Sequence, residues 1–206
     1  MIRAFITDFG GVLVRTGTDR SRREMAQRID LPLPILEAHI FSSELSQCAQ
    51  HGDIPEDMFW REIERNLNLA GFNIPVDEFR REFFADDFLD EELVALIRRL
   101  RPALKTGLIS NAWTGLRNVL HTFFPIHDAF DALVISAEEK IMKPDERIYR
   151  IALDRLGVQP DEAIFLDDLK VNVDAANALG LIGIHFRSSA QAQRDICAVL
   201  DNHRGR

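Results

Sequence analysis

Four short polar segments, widely separated in a sequence of 206 residues, contain residue types that could carry out chemistry together. Each lies at or shortly after the end of a short apolar run, and they are Asp8, Ser110-Asn111, Lys143 and Asp167-Asp168. Carboxylates suit a hard cation such as Mg²⁺, which also takes water and phosphate oxygens as ligands. A hydroxyl and an ammonium group can bind phosphoryl oxygens. The residue types therefore predict a Mg²⁺ site beside a phosphate-binding site.

Asp8 has the surroundings expected of a nucleophile. It is followed directly by Phe9-Gly10-Gly11, and glycines allow backbone N–H groups to approach a phosphate closely. A carboxylate in that position can attack phosphorus and form an aspartyl phosphate, which water later cleaves. Catalysis of this kind depends mostly on positioning and charge stabilisation, and the other three segments could supply both.

These segments must be positioned by a sheet, because the sequence alternates between strand-like and helical patterns from Asp90 onward. The predicted strands are 4–8, 106–110, 132–136, 163–167 and 181–186, and the predicted helices are 91–101, 115–124, 145–156, 171–179 and 190–200. Regular alternation predicts an α/β fold, with a parallel sheet and helices on both faces. Ligands bind beyond the carboxyl ends of the strands in such a sheet, so all four polar segments are expected at one rim.

A helical block separates the first strand from the alternating region. Apolar residues recur at helical spacing from about Arg20 to Phe88, with breaks near Pro32, Gly52 and Pro75. This pattern predicts three or four helices. We therefore predict two domains, an α/β core formed by residues 1–14 and 89–206 and an all-helical insert formed by residues 15–88.

Composition and net charge restrict the classes of molecule that the chain is expected to bind. The apolar fraction of 46% is typical of a globular protein, and the formal charge of −8 argues against nucleic acid or an acidic membrane as the main partner. The sequence lacks the ~20-residue apolar run of a membrane span and any pattern typical of a signal peptide. Cys48 and Cys197 are expected to be free, buried thiols. We expect a cytoplasmic monomer or homodimer that binds a small phosphorylated metabolite.

Each polar segment alone also has a simpler structural interpretation. An aspartate at a strand end is often a turn or cap residue, Ser110-Asn111 could cap a helix, and Lys143-Pro144-Asp145 could only begin one. Asp167-Asp168 is harder to explain in this way, because adjacent carboxylates repel each other unless a cation or donors lie between them. The four segments together favour the catalytic interpretation.

The same segments resemble the four motifs of the haloacid dehalogenase (HAD) superfamily, in the correct order and over almost the whole chain. The matching segments are Ile6-Thr7-Asp8-Phe9-Gly10-Gly11-Val12-Leu13, Leu108-Ile109-Ser110-Asn111, Lys143-Pro144-Asp145, and Phe165-Leu166-Asp167-Asp168 followed by Asn172 and Ala175-Ala176. The resemblance implies a Rossmann-like core with a helical cap inserted after the first motif. It also implies a Mg²⁺-dependent phosphatase, similar to enzymes that act on sugar phosphates such as glucose 1-phosphate.

The resemblance also implies roles for individual residues. Asp8 would be the nucleophile, and Lys143 would bind the phosphoryl group and temper the charge of the acids. The substrate would contact Gly10, Gly11, Ser110, Asn111 and Lys143. The metal would be held by Asp8, the backbone carbonyl of Gly10, Asp168, and Asp167 either directly or through water.

One departure from the family pattern leaves alternatives open. Phosphatases of this family commonly carry a general acid–base aspartate two residues after the nucleophile, where this chain has Gly10. A metal-independent 2-haloacid dehalogenase also lacks that acid, and a HAD-derived binding protein without turnover would not need it. A receiver domain would place its paired acids after the first strand, and a phosphonatase would need a lysine in the cap, whereas the first lysine here is Lys105. The acid pair favours the phosphatase.

Overall fold

The computed structural model describes residues 1–203 and has a five-stranded parallel sheet at its centre. In these residues the chain forms β1 (Ala4–Thr7), β2 (Val14–Thr16), β3 (Asp87–Leu89), β4 (Lys105–Ser110), β5 (Ala132–Ile135), β6 (Ala163–Asp167) and β7 (Ile182–His185). The strand order is β5-β4-β1-β6-β7, with every neighbouring pair parallel. The first strand of the chain is therefore the central strand of the sheet.

Eleven α-helices accompany the strands within the same residues. They are α1 (Arg20–Arg28), α2 (Leu33–Phe41), α3 (Glu44–His51), α4 (Glu56–Asn66), α5 (Val76–Phe83), α6 (Glu91–Leu100), α7 (Leu116–Asn118), α8 (Ser136–Glu139), α9 (Glu146–Leu156), α10 (Lys170–Leu179) and α11 (Ser189–His203). None of them is long and apolar enough to cross a membrane.

Helices cover both faces of the sheet. Side chains alternate between the two faces along each buried strand, so one strand contributes to two apolar clusters. On one face, Phe5 of β1 and Ile164 of β6 belong to a cluster that includes apolar residues of α6 and α11. On the other face, Ile6 and Phe165 belong to a cluster with α9 and α10, in which the ring of Tyr149 lies 5.2 Å from that of Phe165. The predicted α/β fold with helices on both faces is confirmed.

The helical block has its own apolar cluster. Phe59, Phe79 and Phe83 are fully buried in it, and burying a side chain of this size stabilises a fold by roughly 1.5–3 kcal/mol. The block contains five α-helices, so the prediction of three or four was wrong. The missed break separates α2 from α3, where the Ser43 hydroxyl accepts a hydrogen bond from Ser46 N at 3.1 Å and caps the new helix.

The block is attached to the core through a two-stranded antiparallel ribbon that the sequence pattern did not reveal. Strands β2 and β3 pair with Val14 opposite Leu89 and Thr16 opposite Asp87. The Thr16 hydroxyl also donates to Asp87 Oδ1 at 2.7 Å. The domain boundaries predicted after residues 14 and 88 fall within these two strands.

Two further details differ from the sequence-based expectations. The helix predicted over 115–124 is only a short α-turn, α7, followed by a wider π-turn over Val119–Phe123. The Thr122 hydroxyl donates to the Asn118 carbonyl at 2.7 Å, which competes with regular helical hydrogen bonding. Both cysteines are unbridged as expected, but Cys48 is half-buried and Cys197 is exposed, so their predicted burial was wrong.

Candidate active site

The carboxylates of the first and last polar segments meet at the carboxyl ends of β1 and β6. These strands are paired with Thr7 opposite Leu166, and Asp8 N donates to Leu166 O at 2.9 Å. Because both strands end at the same rim, Asp8 and Asp167-Asp168 leave the sheet side by side. One carboxylate oxygen from each of Asp8, Asp167 and Asp168 lies within 4.8 Å of the other two.

Lys143 reaches this group of acids from the segment that follows β5 and α8. Its ammonium lies 2.9 Å from Asp8 Oδ1 and 2.7 Å from Asp167 Oδ2, and it donates to Ile109 O at 3.1 Å. The side chain is almost completely buried, with 1% exposure. A buried ammonium needs such partners, because an unpaired charge in the interior is very costly.

The backbone of Lys143 is fixed by Asn111. The Asn111 side chain donates from Nδ2 to Lys143 O at 2.9 Å and accepts from Lys143 N at 2.8 Å. Both ends of this amide therefore bind the lysine backbone. These contacts make Asn111 a residue that positions Lys143, and its contact with substrate stays a prediction.

Asp167 and Asp168 have different environments. Asp167 is fully buried, and its carboxylate accepts hydrogen bonds from Leu169 N at 2.8 Å and from Asn172 Nδ2 at 3.0 Å, in addition to the ion pair with Lys143. Asp168 is half-buried. The two adjacent acids therefore differ in role. The Asp167 carboxylate mainly neutralises the charge of the Lys143 ammonium, whereas Asp168 is only half-buried.

The electrostatics of the site favour a bound cation. Burial, with a further contribution from Asp167, raises the pKa of Asp8 from its usual 3.8 to about 7, although Lys143 acts in the opposite direction. Burial and the neighbouring Asp167 also raise the pKa of Asp168. Burial alone would lower the pKa of Lys143, but Asp8 and Asp167 outweigh it and raise that pKa. Three carboxylates lie together and only two of them pair with the Lys143 ammonium, so the donor set fits Mg²⁺, which prefers oxygen ligands.

The two glycines after Asp8 differ in whether the structure requires glycine at their position. Gly11 adopts a φ of +76°, and a side chain there would collide with Oδ2 of Asp168. Its N–H donates to Val14 O at 2.9 Å, and the contact of Gly11 with substrate stays a prediction. Gly10 has no such restriction, because among the described residues no atom beyond its two chain neighbours lies within 4 Å of an added Cβ. Of these two positions, only position 11 has a backbone conformation that requires glycine.

A sequence model of the haloacid dehalogenase-like hydrolase family matches residues 2–180, which include all four polar segments. The chain belongs to the haloacid dehalogenase-like hydrolase family. Along 96% of its length, this HAD-like hydrolase is 30% identical to acyl-CoA dehydrogenase family member 10 of Mus musculus. It spans only 19% of that relative's length.

Two other relatives match the HAD-like hydrolase over nearly all of both chains. It is 22% identical to a D-ribitol-5-phosphate phosphatase of Bacteroides thetaiotaomicron, over 98% of this chain and 100% of that relative. A HAD family enzyme of the same organism, solved with magnesium and inorganic phosphate, superposes with a TM-score of 0.77 at 20% identity, over 92% of this chain and 96% of that chain. At this level of identity, the structural likeness shows the fold.

Ser110 completes the rim of the HAD-like hydrolase. It is the last residue of β4, the neighbour of β1 in the sheet, and its side chain is buried. The structure therefore brings Ser110 to the same edge as Asp8, Lys143 and the paired acids.

Sequence reasoning missed one residue that supports the HAD-like site. Nε2 of His185 donates to the backbone carbonyl of Asp168 at 2.9 Å and holds the segment that carries this acid. His185 is the last residue of β7 and lies opposite Asp167 in the sheet register. The rule that polar residues at strand ends face the ligand would have identified it, had it been applied to the last strand.

Proposed function

We propose that this chain is a Mg²⁺-dependent phosphatase that hydrolyses a small phosphorylated metabolite through an aspartyl phosphate on Asp8. The observation that carries the proposal is the ion pairing of buried Lys143 with both Asp8 and Asp167, beside the half-buried Asp168. Sugar phosphates are the proposed substrate class, supported by the similarity to a D-ribitol-5-phosphate phosphatase along the whole chain.

The residues divide the work in the following way. Asp8, Asp168 and the backbone carbonyl of Gly10 would hold Mg²⁺, with Asp167 acting directly or through water. When bound, Mg²⁺ supplies positive charge that offsets the carboxylates and the phosphoryl oxygens. Ser110 and Lys143 bind the phosphoryl oxygens and orient phosphorus towards Asp8.

The reaction proceeds by two displacements. A carboxylate oxygen of Asp8 forms a bond to phosphorus while the bond to the leaving oxygen breaks, which releases the alcohol and leaves an acyl phosphate. Water then attacks the acyl phosphate and regenerates the carboxylate with release of inorganic phosphate. Because position 10 has no carboxyl group, the proton of the leaving oxygen does not come from that position. General acid catalysis typically contributes ~10²–10⁴-fold, so turnover is expected to be slow.

We further propose that residues 15–88 act as a cap over this rim and exclude bulk water during the reaction. The proposed setting is the cytoplasm, with the chain acting as a monomer or a homodimer and without nucleic acid or membrane as partner. The net charge of −8 supports the absence of nucleic acid or an acidic membrane as a partner, because a negatively charged protein repels a polyanion.

A panel of phosphorylated metabolites, assayed with Mg²⁺ and with EDTA, tests the function. Hydrolysis that requires Mg²⁺ and is lost in Asp8→Asn would support the phosphatase. Release of halide from a 2-haloacid in EDTA would instead identify a dehalogenase. Binding of phosphorylated ligands with equal, negligible hydrolysis by both proteins would identify a non-catalytic binding protein, the other alternative that Gly10 leaves open.

A further inference from the structure

The helical block touches the core at a second place, away from the β2–β3 ribbon. This contact is made by residues 111–115, which connect β4 to α7 and which we call the β4 loop. Trp113 of this loop lies against the apolar cluster of the block, with its ring stacked on Phe59 at 5.0 Å and edge-on to Trp60 at 5.2 Å. A core residue is thus packed among the aromatic side chains of the block.

Glu56, the first residue of α4, fixes the same loop through its carboxylate. Its Oε2 accepts a hydrogen bond from Gly115 N at 2.7 Å, and a side chain at position 115 would collide with that oxygen. Its Oε1 accepts from Trp60 Nε1 at 3.1 Å and from Arg80 at 2.9 Å. Both oxygens of Glu56 are therefore used, one towards the core and one towards the block.

A neighbouring contact holds the beginning of the loop. The Ser136 hydroxyl accepts from Ala112 N at 3.0 Å and donates to the carbonyl of Gln50, at the end of α3, at 2.5 Å. The block and the core thus share hydrogen bonds at both ends of the β4 loop. We call two sets of contacts the clasp: the hydrogen bond of Glu56 with Gly115, and the contacts of Trp113 with the aromatic side chains of the helical block.

The clasp lies next to the phosphate-binding groups of the proposed reaction. The β4 loop starts immediately after Ser110, and its first residue, Asn111, holds the backbone of Lys143. A shift of the loop would therefore move Ser110 and Lys143 relative to Asp8. Asp168, in contrast, directly follows β6, so it is not joined to the β4 loop along the chain.

We propose that Glu56 and Trp113 are positioning residues that couple the placement of the helical block to Ser110 and Lys143. This inference rests on the proposed phosphatase function and adds that the block contributes to the geometry of the phosphate site through the β4 loop. Losing the clasp should weaken phosphate binding and slow hydrolysis, and it should affect the binding of Mg²⁺ alone less, because the carboxylates that would hold the ion leave β1 and β6 and not the β4 loop.

The closed clasp also carries an energetic cost. Nε1 of Trp113 is buried without a hydrogen-bond partner among residues 1–203, and an unsatisfied buried donor is destabilising. Trp113→Phe would remove this donor while keeping an aromatic ring in the stack. This substitution therefore separates the packing of the side chain from its N–H group.

The test compares Glu56→Ala and Trp113→Ala with Asp57→Ala, the exposed neighbour on the same helix. Binding of Mg²⁺ alone, binding of inorganic phosphate in the presence of Mg²⁺, and hydrolysis of p-nitrophenyl phosphate are measured for each protein. We expect phosphate affinity and kcat to fall at least about tenfold in the two clasp variants, because small displacements of reacting groups are costly. Relative to Asp57→Ala, Mg²⁺ affinity should change less than phosphate affinity. Trp113→Phe should restore most of the loss, whereas Glu56→Gln should restore only part of it, because its amide nitrogen cannot accept the hydrogen bonds that a carboxylate oxygen of Glu56 accepts.

Intrinsic fluorescence gives a readout that does not depend on substitutions. The chain has two tryptophans: Trp113 belongs to the clasp, and Trp60 contacts both Trp113 and Glu56. Adding inorganic phosphate to the Mg²⁺-loaded protein should change their fluorescence. Unchanged fluorescence in a protein that binds phosphate, or equal phosphate affinity in Glu56→Ala and Asp57→Ala, would overturn the coupling. Absence of Mg²⁺-dependent phosphate binding and hydrolysis in the unsubstituted protein would instead overturn the proposed function.

Discussion

The ammonium nitrogen of Lys143 lies 2.9 Å from Oδ1 of Asp8, which links a residue after β5 to the end of the central strand. Two of the three partners of this ammonium are carboxylates, and all lie in the interior. The ion pairs therefore serve both the proposed chemistry and the stability of the rim.

We expect Lys143→Met to destabilise the metal-free protein by about 3–5 kcal/mol, because it leaves buried carboxylates without their counter-ion. Urea unfolding in EDTA measures the change. Mg²⁺ should restore part of the stability, whereas hydrolysis should stay absent. The exposed Lys105 provides a control, since Lys105→Met should change stability by no more than ~0.5 kcal/mol. Equal unfolding free energies for the two variants would contradict this view of Lys143.

Mg²⁺ binding should weaken as the pH falls below 7. The pKa of Asp8 is about 7 in the metal-free folded chain, against a usual value of 3.8, so folding favours its protonated form. Its contribution to stability is therefore fully present below the usual pKa and is lost as the pH rises through about 7. Since Mg²⁺ competes with this proton, its affinity should fall up to about tenfold per pH unit below that value.

Thermal unfolding with and without Mg²⁺ at pH 6, 7 and 8 measures this competition. The increase in Tm caused by Mg²⁺ should be largest at pH 8 and small at pH 6. In Asp8→Asn the increase should be small at every pH, because the titrating ligand is absent. A Mg²⁺-induced increase that is the same at all three values would argue against Asp8 as a ligand with a raised pKa.

Gly10→Asp should speed hydrolysis of a phosphate ester. The position has space for a side chain and ordinary backbone angles, and an added general acid can contribute up to ~10²–10⁴-fold. Steady-state kcat with Mg²⁺ is the measurement. Unchanged or slower turnover in a folded variant would indicate that another group already protonates the leaving oxygen.

Gly11→Ala is the contrasting substitution. Its φ of +76° and the collision with Asp168 predict lower stability and weaker Mg²⁺ binding, with a backbone cost of about 1–2 kcal/mol before the collision is counted. Chemical unfolding and calorimetric Mg²⁺ titration measure the two effects. Stability and Mg²⁺ affinity equal to those of the unsubstituted protein would show that the loop can move away from Asp168.

Asp90→Ala should destabilise the attachment of the helical block. The buried Asp90 carboxylate pairs with Arg15 at 2.6 Å and accepts from Leu93 N at 3.0 Å as the cap of α6. Loss of the cap and of a partly buried ion pair should cost about 2–4 kcal/mol in unfolding free energy. The exposed pair of Glu24 and Arg20 supplies the control, and Glu24→Ala should have almost no effect. A similarly small effect at position 90 would contradict this role.

Local sequence patterns predict the core strands and the residues at their ends, because a strand buried on both faces is a short apolar run that stops where the rim begins. The strand Ala163–Asp167 agrees with its prediction at both ends. The same reasoning predicts that Asp8 and Ser110 meet at one edge, without any knowledge of the strand order.

Contacts between distant segments are not visible in such patterns. The ribbon joins residues 71 positions apart through Thr16 and Asp87, and its strands are only three residues long. The contact between Glu56 and Gly115 depends on how the block lies on the core. Asn111 has the residue type of a ligand-binding group, but its partner is the Lys143 backbone, which only the fold reveals.

The antiparallel pairing of Thr16 with Asp87 makes the two connections of the helical block adjacent. The polypeptide leaves the core and returns to it through neighbouring residues, so the length and composition of the intervening segment do not alter the spacing of the core strands. Exchange of residues 17–86 for a different helical unit would thus retain the core strands and the carboxylates at their ends, but it would also remove the contact of Glu56 with the β4 loop. A replacement unit that joins the core at the ribbon would therefore have to rebuild that contact while it presents a different surface to a ligand.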